Sequence, residues 1–257
     1  MLNKFTKFLL VGLLILGLVG AAAGCGGKDS GDTIVFVGSG GYPPFNFINE
    51  KDEVIGFDVD VAAEIADRLG MTLDYQTSAW DGLIEGLRAG RFDGILGSMA
   101  ITAEREEQVD FSIPYYYSGA QLIVKKDSGI SAPEDLAGDA VVGLVTGTTF
   151  EEDAANLGVE AQLYEDDNQT LMELVNGRVD GVITDRVVGL NAIAKINGGD
   201  QLTLAGDLMR KEMMAVAFQQ DDPLKDEVDK VLQEMHEDGT LSEISAKWFN
   251  GEDITKQ

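Results

Sequence analysis

The sequence predicts an α/β fold of two lobes, each a mostly parallel sheet flanked by helices. Three observations carry this expectation. Short apolar runs with strand character alternate with amphipathic helical stretches, the signature of a largely parallel sheet. The strand-like runs end in clusters of small residues. One helix–glycine–strand pattern occurs twice: Ile84-x-x-Leu87-x-x-Gly90-Arg91-x-Asp93-Gly94-Ile95-Leu96 returns as Leu171-x-x-Leu174-x-x-Gly177-Arg178-x-Asp180-Gly181-Val182-Ile183. Two copies are too few for a solenoid and fit one unit per lobe.

The elements follow in order. Met1 to Lys7 carries Lys4 and Lys7 and no acid, and Phe8 to Ala23 is an apolar run of the length of an export-signal core, short for a membrane span. It ends at Gly24-Cys25. Cys25 is the only cysteine, so no internal disulfide can form. Ordinary cleavage after Ala21-Ala22-Ala23, or an uncleaved anchor, would also fit this leader. Residues 26–32 read as a flexible tether. Thr33 to Val37 is a first strand, closed by Gly38-Ser39-Gly40-Gly41; no Gly-Lys-Ser/Thr follows, so these glycines do not make a phosphate loop. Tyr42-Pro43-Pro44-Phe45 sets an aromatic pair on a stiff turn. Asp58 is expected to cap a helix with Val59, Ala62, Ala66 and Leu69 on one face, stopped by Gly70. Met71 to Thr77 is a strand, and Trp80 to Ala89 a helix burying Leu83, Ile84 and Leu87. In the second half Ala140 to Val145 is a strand, Phe150 to Leu157 a helix, and Arg186 to Ile196 another. Leu224 to His236 and Ser242 to Phe249 are amphipathic.

Gly94 to Tyr117 is the stretch that suggests a site. A buried strand breaks at Gly97-Ser98 and feeds a helix start at Thr102, leaving backbone N–H groups free for an anion. Arg105 lies in that first turn, where a cation opposes the helix dipole. It either holds a carboxylate by a two-pronged pair or is a surface arginine beside Glu104 or Asp110. Ligands of such sheets sit outside the carboxyl ends of the strands. The other strand ends offer Thr148 and Thr149 at a helix N-terminus, and Asp185, for which the alternative is a plain cap of the Arg186 helix. An arginine from one lobe and an aspartate from the other point to a zwitterion between them.

The formal charge is −26, and −28 once Lys4 and Lys7 leave with the leader. This excludes nucleic acid as a partner, which requires basic surface. His236, the sole histidine, has no second histidine or cysteine near it, so neither a metal site nor any cofactor is expected. No nucleophile–base set can be assembled, which argues against an enzyme.

From Thr33 to Asn250 the chain resembles the amino-acid-binding branch of the bacterial extracellular solute-binding proteins, which serve ABC importers. The resemblance rests on Gly38-Ser39 with YPPF, GFDVDVAAEIADRLG from Gly56, WDGLIEGL from Trp80, ITAER to Arg105, DFSIPYY from Asp110, VTGTT to Thr149, GRVDGVITD to Asp185 and DGTLSEISAKWF to Phe249. It implies a two-lobed periplasmic-binding-protein fold, with lobe I at 31–115 plus 215–251, lobe II at 119–210, and hinge crossovers at 115–119 and 211–214. Arg105 and the backbone near Ala100 would take an α-carboxylate, helped by Thr149. Ser98 and Asp185 would take the α-ammonium, and Tyr42 and Trp80 would line the side-chain pocket. Ser39 stands where relatives often carry an acid for a cationic side chain, which argues against lysine or arginine, although the aromatic pair suits a cation. Ala100 replaces a common hydroxyl residue.

The leader resembles a lipoprotein signal, residues 1–25, with lipid on Cys25. Ala22 departs from the usual leucine. The implied protein is a monomeric extracytoplasmic receptor, held to the membrane by lipid, that passes a free L-amino acid to an ABC permease. The alternatives are a dehydratase-like enzyme on this fold, which would need a cleft acid or base beyond Asp185, and a sensor domain, which would need a further membrane or cytoplasmic module.

Overall fold

The computed structural model describes residues 32–256; the expected leader, Cys25 and most of the tether lie outside them. Strand β1 (Thr33–Gly38) pairs in parallel with β5 (Thr72–Thr77) and β6 (Gly94–Ala100). Two short strands, β2 (Gly41–Tyr42) and β3 (Asn46–Ile48), form a separate small sheet with β4 (Val54–Ile55). A second parallel group joins β9 (Val141–Val145), β10 (Glu160–Tyr164) and β11 (Gly181–Asp185). Between the groups run two long antiparallel strands, β8 (Tyr116–Lys125) and β12 (Leu202–Phe218), with β7 (Asp110–Phe111) on the edge of β12. The result is a single continuous sheet in the order β10-β9-β11-β8-β12-β6-β1-β5.

The register of the long pair decides where the two groups point. Ala100, the last residue of β6, pairs with Met214, and Asp185, the last of β11, pairs with Ala120. Met214 pairs with Tyr116, and Ala120 with Arg210. Both parallel groups therefore aim their carboxyl ends at the same short length of the β8/β12 pair. The segments expected as crossovers lie here, with Lys211 opposite Gly119 and Met214 opposite Tyr116.

Helices cover both faces of each group. Helices α1 (Phe57–Leu69), α7 (Leu224–Asp238) and α8 (Thr240–Trp248) close one face of the first group over Ile34, Phe36, Leu96 and Phe218. On its other face α2 (Leu83–Arg88), with a 3-10 turn at Trp80–Gly82, packs Leu83 and Leu87 on Val37 and Ile95. The second group is closed by α4 (Phe150–Leu157) over Leu122, Leu144 and Ile183, and by α5 (Asp167–Val175) and α6 (Arg186–Lys195) over Ile123 and Val182. Each such fully buried aliphatic or aromatic side chain is worth about 1.5–3 kcal/mol of transfer from water. The two halves thus own largely separate cores on one sheet, Val187 and Val188 of α6 reaching into the first, which is the two-lobed fold the sequence implies.

Three local expectations are corrected. Asp58 does not cap α1; Gly56, at φ 142, holds that place because a Cβ there would meet the Phe45 carbonyl oxygen at 2.0 Å. The buried face of α1 is Phe57, Asp58, Val61, Ala62, Ile65 and Ala66, so Val59 and Leu69 are only half-buried. Ile84 is likewise half-buried where full burial is expected.

Candidate functional site

The carboxyl ends of the two strand groups enclose a cleft of about 440 Å³. Ser39, Tyr42, Trp80, Ser98, Ala100, Arg105, Thr148 and Thr149 all line it, so eight of the nine ligand residues named from sequence converge. Asp185 does not.

Arg105 is delivered by a short device. After β6, Thr102 caps the four-residue helix α3 (Ala103–Glu106), its hydroxyl accepting from the Arg105 N–H at 3.2 Å. The side chain then points inward and is 8 % exposed. Its Nη1 donates to the Ala100 carbonyl at 2.8 Å and Nη2 to the Gly147 carbonyl at 3.3 Å, and the guanidinium lies 5.5 Å from the Trp80 ring centroid. No carboxylate pairs with it among the described residues. Burial pulls its pKa down, and the charge of Glu212 opposes that fall. A buried cation held only by two neutral carbonyls has an unmet need for an anion. The surface alternative for Arg105 is therefore excluded.

Opposite it stand Thr148, Thr149 and the start of α4. Both hydroxyls are engaged: Thr148 donates to the Val145 carbonyl at 2.7 Å and Thr149 donates to Glu212. What these residues offer the cleft is the N-terminal end of a helix, whose dipole favours negative charge. Trp80 Nε1 donates to the same Gly147 carbonyl, at 3.2 Å.

Ser98 sits at φ 60, a left-handed conformation rare for a residue with a side chain. The network beneath holds it there. Its hydroxyl donates to Asp58 at 2.8 Å, its N–H to the Tyr115 hydroxyl at 3.0 Å, and Tyr115 donates to Asp58 at 2.7 Å. Asn46 adds a third donor to Asp58 at 2.7 Å. Even so, burial raises the Asp58 pKa to about 7. With the hydroxyl on Asp58 and the N–H on Tyr115, both Ser98 donors are spent, and only its carbonyl could meet a ligand. Ser39 is similarly occupied, donating to Asn46 Oδ1 at 3.2 Å. Tyr42 is stacked on Phe45 at 5.4 Å, which makes it a rigid wall.

Asp185 is fully buried and caps α6, its Oδ1 accepting from Val187 at 2.7 Å and Val188 at 3.4 Å. The cap reading thus holds for one oxygen. The other, Oδ2, is buried without a hydrogen-bond partner. Burial raises this carboxyl to about pKa 7 against the pull of the Ser118 hydroxyl beside it and of the Val187 and Val188 N–H groups, and the charge of Glu212 adds to the rise.

Two acids that sequence reasoning missed stand on the cleft wall. Glu212, in β12, accepts from Arg210 at 2.7 Å as well as from Thr149. Its signal was a Lys-Glu pair inside an otherwise apolar run, in a segment read only as a crossover. Asp167, 6 % exposed, accepts from Thr184, and burial raises it to about pKa 6. It was hidden in the run Glu165-Asp166-Asp167, which reads as a helix start; Asp166 is indeed the α5 cap. Among the described residues no cluster of His, Cys, Asp and Glu could hold a metal, and no helix is long and apolar enough to cross a membrane.

Comparison with known proteins places this geometry. The model of the bacterial extracellular solute-binding proteins, family 3, matches residues 34–251. The L-cystine-binding protein TcyJ of Escherichia coli is 35 % identical over 89 % of this chain and 86 % of its own length. The arginine-binding extracellular protein ArtP of Bacillus subtilis is 32 % identical over 98 % of this chain and all of its own. Among solved structures, an ancestral arginine-binding protein bound to glutamine superposes with a TM-score of 0.80 at 34 % identity, covering 86 % of this chain and 98 % of that one. With the match running through both strand groups and the cleft between them, the chain belongs to the bacterial extracellular solute-binding proteins of family 3.

Proposed function

We propose that this protein is the extracytoplasmic receptor of an ABC importer, binding a free amino acid in the cleft and delivering it to the permease. The observation that carries the reading is Arg105, a buried guanidinium with no carboxylate partner, set beside a helix N-terminus at the meeting of two strand groups. An α-carboxylate is the planar anion that a guanidinium binds with two prongs. The α-ammonium then falls to the acids of the β11 and β12 ends. Glu212 borders the cleft, and Asp185, behind the lining and near enough to feel its charge, keeps one buried oxygen that only the Ser118 hydroxyl approaches; a buried acceptor so weakly met calls for a further partner. Ser98 contributes its backbone carbonyl, and Tyr42 and Trp80 confine the side chain.

A ligand touching both halves stabilises the arrangement in which they are close, so binding acts by population shift. Residues 115–119 and 211–214 are the hinge, since they are the paired stretch that separates the two cores. The relatives are named as binding proteins, and this chain is a binding protein, not an enzyme. The finer part of the reading is a monomer tethered by lipid on Cys25, with the chain cut before it so that Cys25 is the mature N-terminus; mass spectrometry of the exported protein tests it, and a free Cys25 thiol or a start upstream of it contradicts it.

The direct test is a thermal-shift panel of all the amino acids. A ligand at one hundred times its Kd stabilises the folded state by about 2.7 kcal/mol. At least one amino acid should raise Tm clearly, and a flat panel would sink the reading.

A further inference from the structure

The cleft holds more negative charge than one α-ammonium needs. Its walls carry Asp81, Glu165, Asp166, Asp167 and Glu212 against the single guanidinium of Arg105. Glu212 already has Arg210 as its partner. Asp166 is occupied as the cap of α5, accepting from the Gln169 N–H at 2.9 Å, so α5 needs no second cap.

Asp167 is left over. It is withdrawn from water, borders the cleft, and forms no ion pair among the described residues. One of its oxygens accepts from the neutral Thr184 hydroxyl, and no other side chain donates to the second. Its raised pKa is the expected result of burying a carboxylate with no cation beside it.

The surroundings give Asp167 a direction. A Cβ added at Gly41 would come within 3.5 Å of the Asp166 Cβ, so the Glu165–Asp167 segment faces the β1–β2 loop across the cleft. Strand β2, which carries Tyr42, packs against α5, whose first residue is Asp167, and both side chains line the cleft. Arg105 belongs to the other side, against Trp80 and Gly147. An extended ligand with its carboxylate on Arg105 thus has an aromatic wall and an unpaired buried acid to run toward.

We infer that the Glu165–Asp167 segment, with Asp167 at its centre, is the subsite for a positively charged ligand side chain, and that the amino acid taken up is cationic, of the lysine, ornithine or arginine type. This rests on the amino-acid reading above. Ser39, a neutral hydroxyl already donating to Asn46, cannot supply the charge; the acid comes from the opposite wall instead. A ligand with a second carboxylate, such as cystine, would bring an anion to walls whose only cation is Arg105.

Calorimetric titration of the full chain with arginine, lysine, citrulline, glutamine and cystine tests this. Citrulline keeps the shape of arginine and lacks its charge. Arginine or lysine should bind at least about tenfold more tightly than citrulline, glutamine or cystine. Asp167→Asn should weaken the cationic ligand about 30-fold or more and leave citrulline within about threefold, because only the charged ligand loses its partner. The Tm of ligand-free Asp167→Asn serves as the folding control. If that variant does not fold, Glu165→Gln carries the same comparison with a smaller loss, about three- to tenfold. Citrulline, glutamine or cystine binding as tightly as the cationic ligands would overturn the inference while leaving the amino-acid reading standing. So would an Asp167→Asn loss that is equal for all ligands. No binding by any amino acid would remove the amino-acid reading, and this inference with it.

Discussion

In the first half, α2 stops at Gly90, φ 68, and Asp93 ties itself to β1: its N–H donates to the Val35 carbonyl and its carboxylate accepts from the Val35 N–H at 2.7 Å. In the second, α5 stops at Gly177, φ 69, and Asp180 makes the same double tie to Val141 in β9, the carboxylate bond being 2.9 Å. Beyond the strands the resemblance ends. After β6 the chain turns through a four-residue helix that drops Arg105 into the cleft, whereas after β11 the helix begins at once and Asp185 becomes its cap. The repeated residues hold the backbone; the charges that face a ligand are not repeated. Changes to the repeated residues should therefore move stability, in proportion to their burial, and changes to the unrepeated charges should move affinity.

The largest expected effect is at Arg105. Arg105→Ala leaves a ligand carboxylate buried without its partner, a cost on the order of 2–5 kcal/mol, or roughly 30-fold to several thousandfold in Kd. Arg105→Lys should also fail, because an ammonium cannot reproduce the two-pronged contact. Titration checks both, and unchanged affinity with a lowered Tm would make Arg105 structural. Next come the ammonium acids. Asp185→Asn keeps a capping oxygen for Val187 and Val188 but removes the charge, so affinity should fall about tenfold or more while the fold survives. Glu212→Gln tested in parallel shows which acid carries the ammonium; if neither variant changes Kd, the ammonium lies elsewhere.

The matched ties should move stability and leave Kd alone. Asp93→Ala orphans the Val35 N–H in a part-buried site and should cost about 1–3 kcal/mol in urea unfolding. Asp180 is exposed, so Asp180→Ala should cost less than about 1 kcal/mol, water replacing the lost bond. Equal costs would mean that burial does not distinguish the halves. A last effect, on the ligand-free protein and not on binding, is that of pH. Asp58 and Asp185 titrate near 7 and Asp167 near 6 in the folded chain, against an ordinary value of 3.8. Between about pH 4 and 7 the folded chain keeps protons that the unfolded chain has released, so stability falls as pH rises through that window. Tm should be higher at pH 5 than at pH 8, and Asp58→Asn should flatten the difference; a rise in Tm toward pH 8 would contradict the burial of these carboxyls.

Most of the scaffold was legible because its signals are local. Phe150–Leu157 was readable to the residue, since Gly158 at φ 72 ends it, and the doubled helix–glycine–strand pattern foretold two cores. Arg105 and the aromatic walls were legible as residues out of place for their elements. What stayed hidden depends on contacts distant in sequence. Asp58 reads as a cap, yet it is a buried acceptor for Asn46, Ser98 and Tyr115, which no spacing rule reveals. Glu212 and Asp167 look like a strand charge and a helix-start acid, and only the sheet register brings both to the cleft. Thr149 reads as a hydroxyl offered to a ligand, until Glu212 is found accepting from it.

The central claim is that one amino acid bridges the two unlike strand ends, carboxylate on Arg105 and ammonium toward Asp185 and Glu212. A crystal structure of the protein with its bound amino acid tests it most directly. The account predicts the α-carboxylate within hydrogen-bond distance of the Arg105 guanidinium and the α-ammonium within reach of one of those two carboxylates. A ligand whose carboxylate lies elsewhere, with Arg105 still donating only to the Ala100 and Gly147 carbonyls, would contradict it.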